Sequence, residues 1–155
     1  SQQASDKRVV IHIEGSSCLL DADRGKLKQV LLNLLTNAIK YNKTEGEIFI
    51  TIAAPFDPDA KVKMARIGVR DTGQGITKDN QKRMFEKFFR ATDTSGYTQG
   101  TGLGLVIAKK IVETHGGEMN FESEWGVGTE FYFTMPMPEP IVPPAAEATE
   151  NQPSN

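Results

Sequence analysis

The chain has 155 residues, 38% hydrophobic and 25% charged, with a formal net charge of −2, a size that suits one globular domain around one core. That charge excludes wholesale nucleic-acid binding, which needs dense Lys and Arg on one face, so any phosphate recognition has to be local. The single cysteine, Cys18, excludes an intrachain disulfide framework and reads as a small apolar core residue in a reducing compartment; the polar start SQQASDKR and the lack of any run near ~18 apolar residues predict a soluble, cytoplasmic domain, with membrane anchoring of a larger parent left open.

Residues 1–7 read as a disordered leader. Val9 to Ile13, VVIHI, predicts a short strand, and CLLDAD from Cys18 a second extended piece before Asp23 caps a helix. That helix is predicted from Arg24 to Tyr41, where Leu27, Val30, Leu31, Leu34, Leu35 and Ala38 recur with a helical period. EIFITIAA and MARIGVRD then predict two strands paired as a hairpin around PFDPDA. A second helix is expected from Thr77, its N-cap, to Phe89, followed by the polar loop ATDTSGYTQG. A third should begin near Gly102 and reach Thr114, ended by His115, Gly116 and Gly117. EMNFESE and GTEFYFTM alternate around WGVG as a closing hairpin. From Pro136 onward the Pro-, Ala- and Glu-rich sequence reads as a disordered tail or linker. With no internal repeat and strands at both ends of a helical middle, the expected fold is a two-layer α/β sandwich. Its sheet would be mixed, mostly antiparallel and of about five strands, packed on three helices.

Four segments carry chemistry. On the first helix Asn33, Asn37 and Lys40 fall within an arc of roughly 60°, with Tyr41 on its flank. An asparagine carbonyl is a neutral oxygen ligand suited to Mg²⁺ held chiefly by substrate phosphates, and Lys40 supplies a phosphate-directed charge. Taken alone, the same residues also read as a solvated polar stripe. Asp71 ends an apolar strand at DTGQG, where a carboxylate can accept a hydrogen bond from an exocyclic amine such as that of adenine, although Asp-Thr-Gly is equally an ordinary tight turn. The run Gly100 to Leu105, GTGLGL, opens a helix and so offers free backbone N–H groups to phosphate; it is neither a Walker loop nor a dinucleotide fingerprint. Phe85, Phe88 and Phe89 recur in MFEKFFR, a stripe that fits core packing or a clamp on the following loop.

In this order, NLLTNAIKY, DTGQGI, FEKFFR, GTGLGL and GVGTEF resemble the boxes of the sensor histidine kinase catalytic domain, a branch of the GHKL superfamily, over roughly residues 8 to 135. The resemblance implies an ATP-binding α/β sandwich. By it, Asn37 is a Mg²⁺ ligand, Asn33 belongs to the phosphate and metal shell, Lys40 contacts phosphate, and Tyr41 packs on adenine. Asp71 takes the adenine amine, with Gly73, Gly75 and Ile76 shaping that wall and Thr129 supporting it. Phe85 and Phe88 match the aromatic box; Gly100, Thr101, Gly102, Leu103, Gly104 and Leu105 match the glycine box at the triphosphate; Ala91 to Gln99 would be the ATP lid. Two departures narrow the expectation. Neither His12 nor His115 has the context of a phosphoacceptor, which such kinases carry on a helical hairpin upstream. Hydrolytic relatives of the gyrase type, and serine kinases of the anti-sigma-factor type, place a glutamate where Asn33 stands, and an amide cannot accept the proton of water. The implied role is to bind ATP and Mg²⁺ and to donate the γ-phosphoryl group to a histidine on a separate dimerisation domain. A response regulator would lie downstream, the chain itself being monomeric and its parent a homodimer. A hydrolytic clamp and a nucleotide-sensing interaction module are the alternatives.

Overall fold

The computed structural model describes residues 8–15, 17–86 and 103–138. The expected leader at 1–7, the segment from Lys87 to Gly102 with the expected lid at Ala91 to Gln99, and residues 139–155 of the expected tail lie outside these described residues. Pro136, the expected start of that tail, is instead the last residue of a strand, and Met137 donates its N–H to the Lys63 carbonyl at 2.9 Å. In chain order the elements are β1 (Val10–Gly15), α1 (Arg24–Lys40), β2 (Glu47–Ala53), β3 (Met64–Asp71), α2 (Lys78–Gln81), α3 (Gly104–Thr114), β4 (Met119–Glu124) and β5 (Gly128–Pro136).

One five-stranded sheet runs in the order β1-β2-β3-β5-β4. β1 pairs parallel with β2, and every other pair is antiparallel. Parallel neighbours need a crossover, and α1 supplies it, which lays this helix across one face of the sheet. The two central strands show why the fold closes on that side. Ala65, Ile67 and Val69 of β3 stand opposite Met135, Phe133 and Phe131 of β5, and all six are buried. Against them pack Val30, Leu34 and Ala38, four residues apart on α1, together with Leu105, Ala108 and Val112 of α3. Each large side chain so buried contributes about 1.5–3 kcal/mol. The opposite face carries the polar alternates of the same strands. There the Phe49 ring stacks on His12 at 4.7 Å, the Arg70 guanidinium lies 4.3 Å from it, and Arg66 pairs with Glu130 at 3.3 Å over the Tyr132 ring.

Five strands, three helices and a mixed sheet agree with the sequence expectation, and the differences are local. CLLDAD forms no strand. Asp21 donates its N–H to the Pro136 carbonyl at 2.8 Å, on the stretch of β5 beyond its pairing with β4, which ends at Phe133, but this contact does not extend into a ladder. The helix expected to reach Phe89 stops at Gln81. Thr77 caps it as anticipated, but beyond Gln81 the bonds span three residues, Arg83 to Asn80 and Glu86 to Arg83 at 3.0 Å each. This tighter path buries Met84 and turns Phe85 against Phe121 and Phe131. α3 begins at Gly104, later than the expected Gly102. Tyr41 is the C-cap of α1, just past its last turn.

Candidate functional site

A cleft of about 360 Å³, counting its open mouth, lies between the C-terminal end of α1 and the ends of β3 and β5. Asn37 and Tyr41 line it from α1, Asp71 from the end of β3, Gln74, Gly75 and Ile76 from the following loop, Met84 from the turn after α2, and Thr129 and Phe131 from β5. Apolar walls with a few convergent polar groups, at this volume, are the usual make-up of a small-molecule site.

Two glycines let the walls meet. A Cβ on Gly73 would stand 2.1 Å from the Tyr41 carbonyl oxygen, so only glycine lets this loop press on the end of α1. Gly75 has φ +82°, and a Cβ there would stand 2.1 Å from the Glu124 carbonyl oxygen, which brings the loop against the β4–β5 hairpin. Buried Asn42 secures the same corner. Its amide donates to the Glu47 carbonyl at 3.0 Å and its oxygen accepts the Lys43 N–H at 2.9 Å.

Asp71 is the buried charge of the cleft, 6% exposed. Its Oδ1 accepts the Gly73 N–H at 2.9 Å and the Thr129 N–H at 3.3 Å. Burial pushes its carboxyl up to about 6; those two amides and the Arg70 charge oppose the shift without cancelling it. Thr129 lies opposite Asp71 in register, and its hydroxyl is 2.7 Å from that of Ser123. Ser123 Oγ also accepts the Ile76 N–H at 2.8 Å.

The structure therefore gathers Asn37, Tyr41, Asp71, Gly75, Ile76 and Thr129 in one cleft, with Gly73 behind its wall. Lys40 adjoins it, with its ammonium 5.9 Å from the centre of the Tyr41 ring. Other candidates stand elsewhere. Asn33 is not among the lining residues; its amide donates to the Gly104 carbonyl at 3.0 Å and ties α1 to the start of α3. Phe85 sits in an aromatic cluster with Phe121 and Phe131, its ring 4.7 Å from the Lys109 ammonium. Leu105 is core. Leu103 precedes α3 without a capping side chain, and Gly104 is the helix's first residue. Phe88, Gly100, Thr101 and Gly102 lie outside the described residues. Sequence reasoning passed over Gln74, Met84, Phe131 and Ser123. Phe131 and Ser123 were within reach of it, since each shares strand parity with an inward neighbour, Thr129 and Phe121 respectively.

Among the described residues no group of three or more His, Cys, Asp or Glu could hold a metal, and no helix is long and apolar enough to cross a membrane. Residues 22–139 match the family described as histidine kinase-, DNA gyrase B-, and HSP90-like ATPase. Among curated relatives, the chain is 34% identical over 131 residues to sensor protein RprX of Bacteroides fragilis, covering 84% of this chain and 24% of the relative. It is 43% identical over 112 residues to sporulation kinase E of Bacillus subtilis, covering 72% and 14%. The adaptive-response sensory kinase SasA of Synechococcus elongatus is 38% identical over 135 residues, covering 87% and 33%. The chain thus spans a third or less of these proteins. Among solved structures, the nucleotide-free catalytic domain of histidine kinase ThkA superposes with a TM-score of 0.69 at 31% identity, covering 88% of this chain and 85% of that one. Full-length ShkA in complex with AMPPNP superposes with a TM-score of 0.73 at 32% identity, covering 92% and 28%.

Proposed function

The chain belongs to the histidine kinase-, DNA gyrase B-, and HSP90-like ATPase family, and from that premise we propose that it is the ATP-holding catalytic domain of a sensor histidine kinase. Residues 8–135 would bind Mg-ATP and present the γ-phosphoryl group to a histidine on a separate dimerisation domain of a homodimeric, cytoplasmically exposed parent, with a response regulator as the next acceptor. Asp71 is the observation that carries the reading. It is a carboxylate at the end of a central strand, held by two backbone amides at one oxygen and lining an apolar cleft. That arrangement accepts an exocyclic amine while Ile76, Met84 and Phe131 enclose an aromatic base.

Asn37 fits a metal that arrives with its substrate. The cleft offers it a neutral amide oxygen, and no cluster of metal-binding side chains competes among the described residues. Magnesium that keeps most of its waters and is held by phosphates needs no more than one or two such ligands, and when bound it would neutralise phosphate charge. Lys40, at the same end of α1, adds a cation on the phosphate side, and Tyr41 flanks the base. Phosphoryl transfer rests on positioning and charge neutralisation, which these residues supply, leaving the nucleophile to another domain. Asn33 supports transfer over hydrolysis, because its amide is engaged with the Gly104 carbonyl and has no basic oxygen for water.

The test mixes the domain with γ-labelled ATP and a candidate histidine-bearing dimerisation domain. Acid-labile phosphate on that histidine is the expected result. Rapid phosphate release by the domain alone, with none on histidine, would replace the kinase reading with a hydrolytic one.

A further inference from the structure

Asn42 follows the C-cap of α1, is 6% exposed, and is not among the residues lining the cleft. Its side chain is held at both ends. The amide donates to the Glu47 carbonyl at 3.0 Å, while the oxygen accepts the Lys43 N–H at 2.9 Å and stands 3.3 Å from the Thr72 hydroxyl. The corner is shaped around it, since a Cβ on Gly46 would stand 2.2 Å from the Asn42 oxygen. Thr72 meets it from β3. Past the last pair of the β2–β3 ladder, Ile48 with Asp71, the Thr72 hydroxyl accepts the Glu47 N–H at 2.9 Å, and the Thr72 N–H donates to the Glu47 carbonyl at 3.2 Å. That carbonyl, 3.4 Å from the Thr72 hydroxyl, already takes two N–H donors, one for each lone pair. The single hydroxyl proton therefore goes to the Asn42 oxygen. The tie does not hang on this proton, because Asn42 and Thr72 also meet through their N–H bonds to Glu47.

These bonds join two elements that supply different ends of the cleft. Asn42 continues the chain from Lys40 and Tyr41 at the end of α1, and Thr72 lies between Asp71 and Gly73, the glycine whose Cβ would stand 2.1 Å from the Tyr41 carbonyl oxygen. A nucleotide reaches across both, with its amine at Asp71 and its phosphates toward Asn37 and Lys40. It gains from both ends at once only if their spacing is set before it arrives. We propose that Asn42 is a positioning residue which, through Glu47 and Thr72, fixes the end of α1 at the spacing from Asp71 that one nucleotide satisfies, and so sets the preference for a base bearing an amine. This rests on the reading of the cleft as an adenine nucleotide site.

The experiment compares Mg-ATP with Mg-inosine triphosphate, which keeps the phosphates but carries a carbonyl oxygen in place of the amine. Inosine triphosphate gains nothing from the Asp71 carboxylate, so the spacing does not matter to it. Both affinities are measured by calorimetry for the unmutated domain, Asn42→Ala, Thr72→Val and Thr72→Ser. Asn42→Ala should weaken ATP by about tenfold and leave inosine triphosphate within about twofold of its value for the unmutated domain. Thr72→Val, which leaves Asn42 its bonds to Glu47 and Lys43, should give about a threefold loss for ATP alone, and it carries the comparison should Asn42→Ala fail to fold. Thr72→Ser, which keeps the hydroxyl, should retain the preference of the unmutated domain. Equal losses for the two ligands would make Asn42 a structural tie alone and overturn the proposal, as would an unchanged affinity for ATP. Equal affinities of the unmutated domain for ATP and inosine triphosphate would overturn instead the reading of Asp71 as the amine acceptor beneath it.

Discussion

With its carboxyl pushed up to about 6 by burial, Asp71 holds a proton more tightly in the folded chain than in the unfolded one, where the ordinary value of 3.8 applies. The stability this contributes is fully present below about pH 4 and is lost as pH rises through 6. Over that window the group should cost the empty fold roughly 1 to 3 kcal/mol. Asp71→Asn keeps an oxygen for the Gly73 and Thr129 amides but carries no charge, so urea denaturation at pH 4.5 and 7.5 should give a smaller difference for the variant than for the parent. Nucleotide affinity should run the other way. The amine of adenine favours the ionised carboxylate, so binding weakens as pH falls through 6, and near that pH complex formation releases a proton. Calorimetric enthalpies should then vary with the ionisation heat of the buffer, and a flat dependence would count against Asp71 as the amine acceptor. At neutral pH, Asp71→Asn should lower affinity by about 10- to 100-fold, the range of a charge-assisted hydrogen bond.

Between elements, His115 shows how a helix end can be used twice. Its Nδ1 lies 2.8 Å from the Ile111 carbonyl oxygen, and its Nε2 accepts the Asp23 N–H at 3.1 Å. These opposite demands are met by the neutral ring with its proton on Nδ1. Asp23 in turn caps α1 by accepting the Lys26 N–H at 3.0 Å, so one imidazole joins the end of α3 to the start of α1. His115→Ala should lower denaturation free energy by about 1 kcal/mol and leave ATP affinity unchanged, because His115 is not a lining residue of the cleft. In the sequence this histidine could be read only as a favourable residue at a helix terminus, since Asp23 is 92 positions away. The same limit hid the amide bond from Asn33 to Gly104, 71 residues apart. What local pattern could reveal, it did: the four-residue spacing of Val30, Leu34 and Ala38 defines α1, and alternation defines β4 and β5. The second helix was drawn too long because Phe85 recurs at helical spacing with Phe88 and Phe89. Spacing alone does not register the shift to three-residue bonds after Gln81.

Across the whole molecule, the cleft is assembled from residues as far apart in sequence as Asn37 and Phe131, carried by α1, β3, the turn after α2 and β5. No single element holds the ligand, so global unfolding destroys the site, and a nucleotide bound only by the folded chain should stabilise it by mass action. Mg-ATP at 100 times its Kd should add about 2.7 kcal/mol to the free energy of unfolding. The increment should appear as a shift of one cooperative transition, because the side chains lining the cleft continue into the core through Ile76, Met84 and Phe131. A chelator supplied with ATP should remove most of the increment if Asn37 and the phosphates share a magnesium ion. Asn37→Ala should reduce the difference between ATP with and without Mg²⁺ while preserving the unliganded transition, since its effect falls on the ligand and its metal and not on the packing beneath. An equal thermal shift with and without Mg²⁺ in the unmutated domain would remove Asn37 from the metal site and leave Asp71 and the apolar walls as the source of binding.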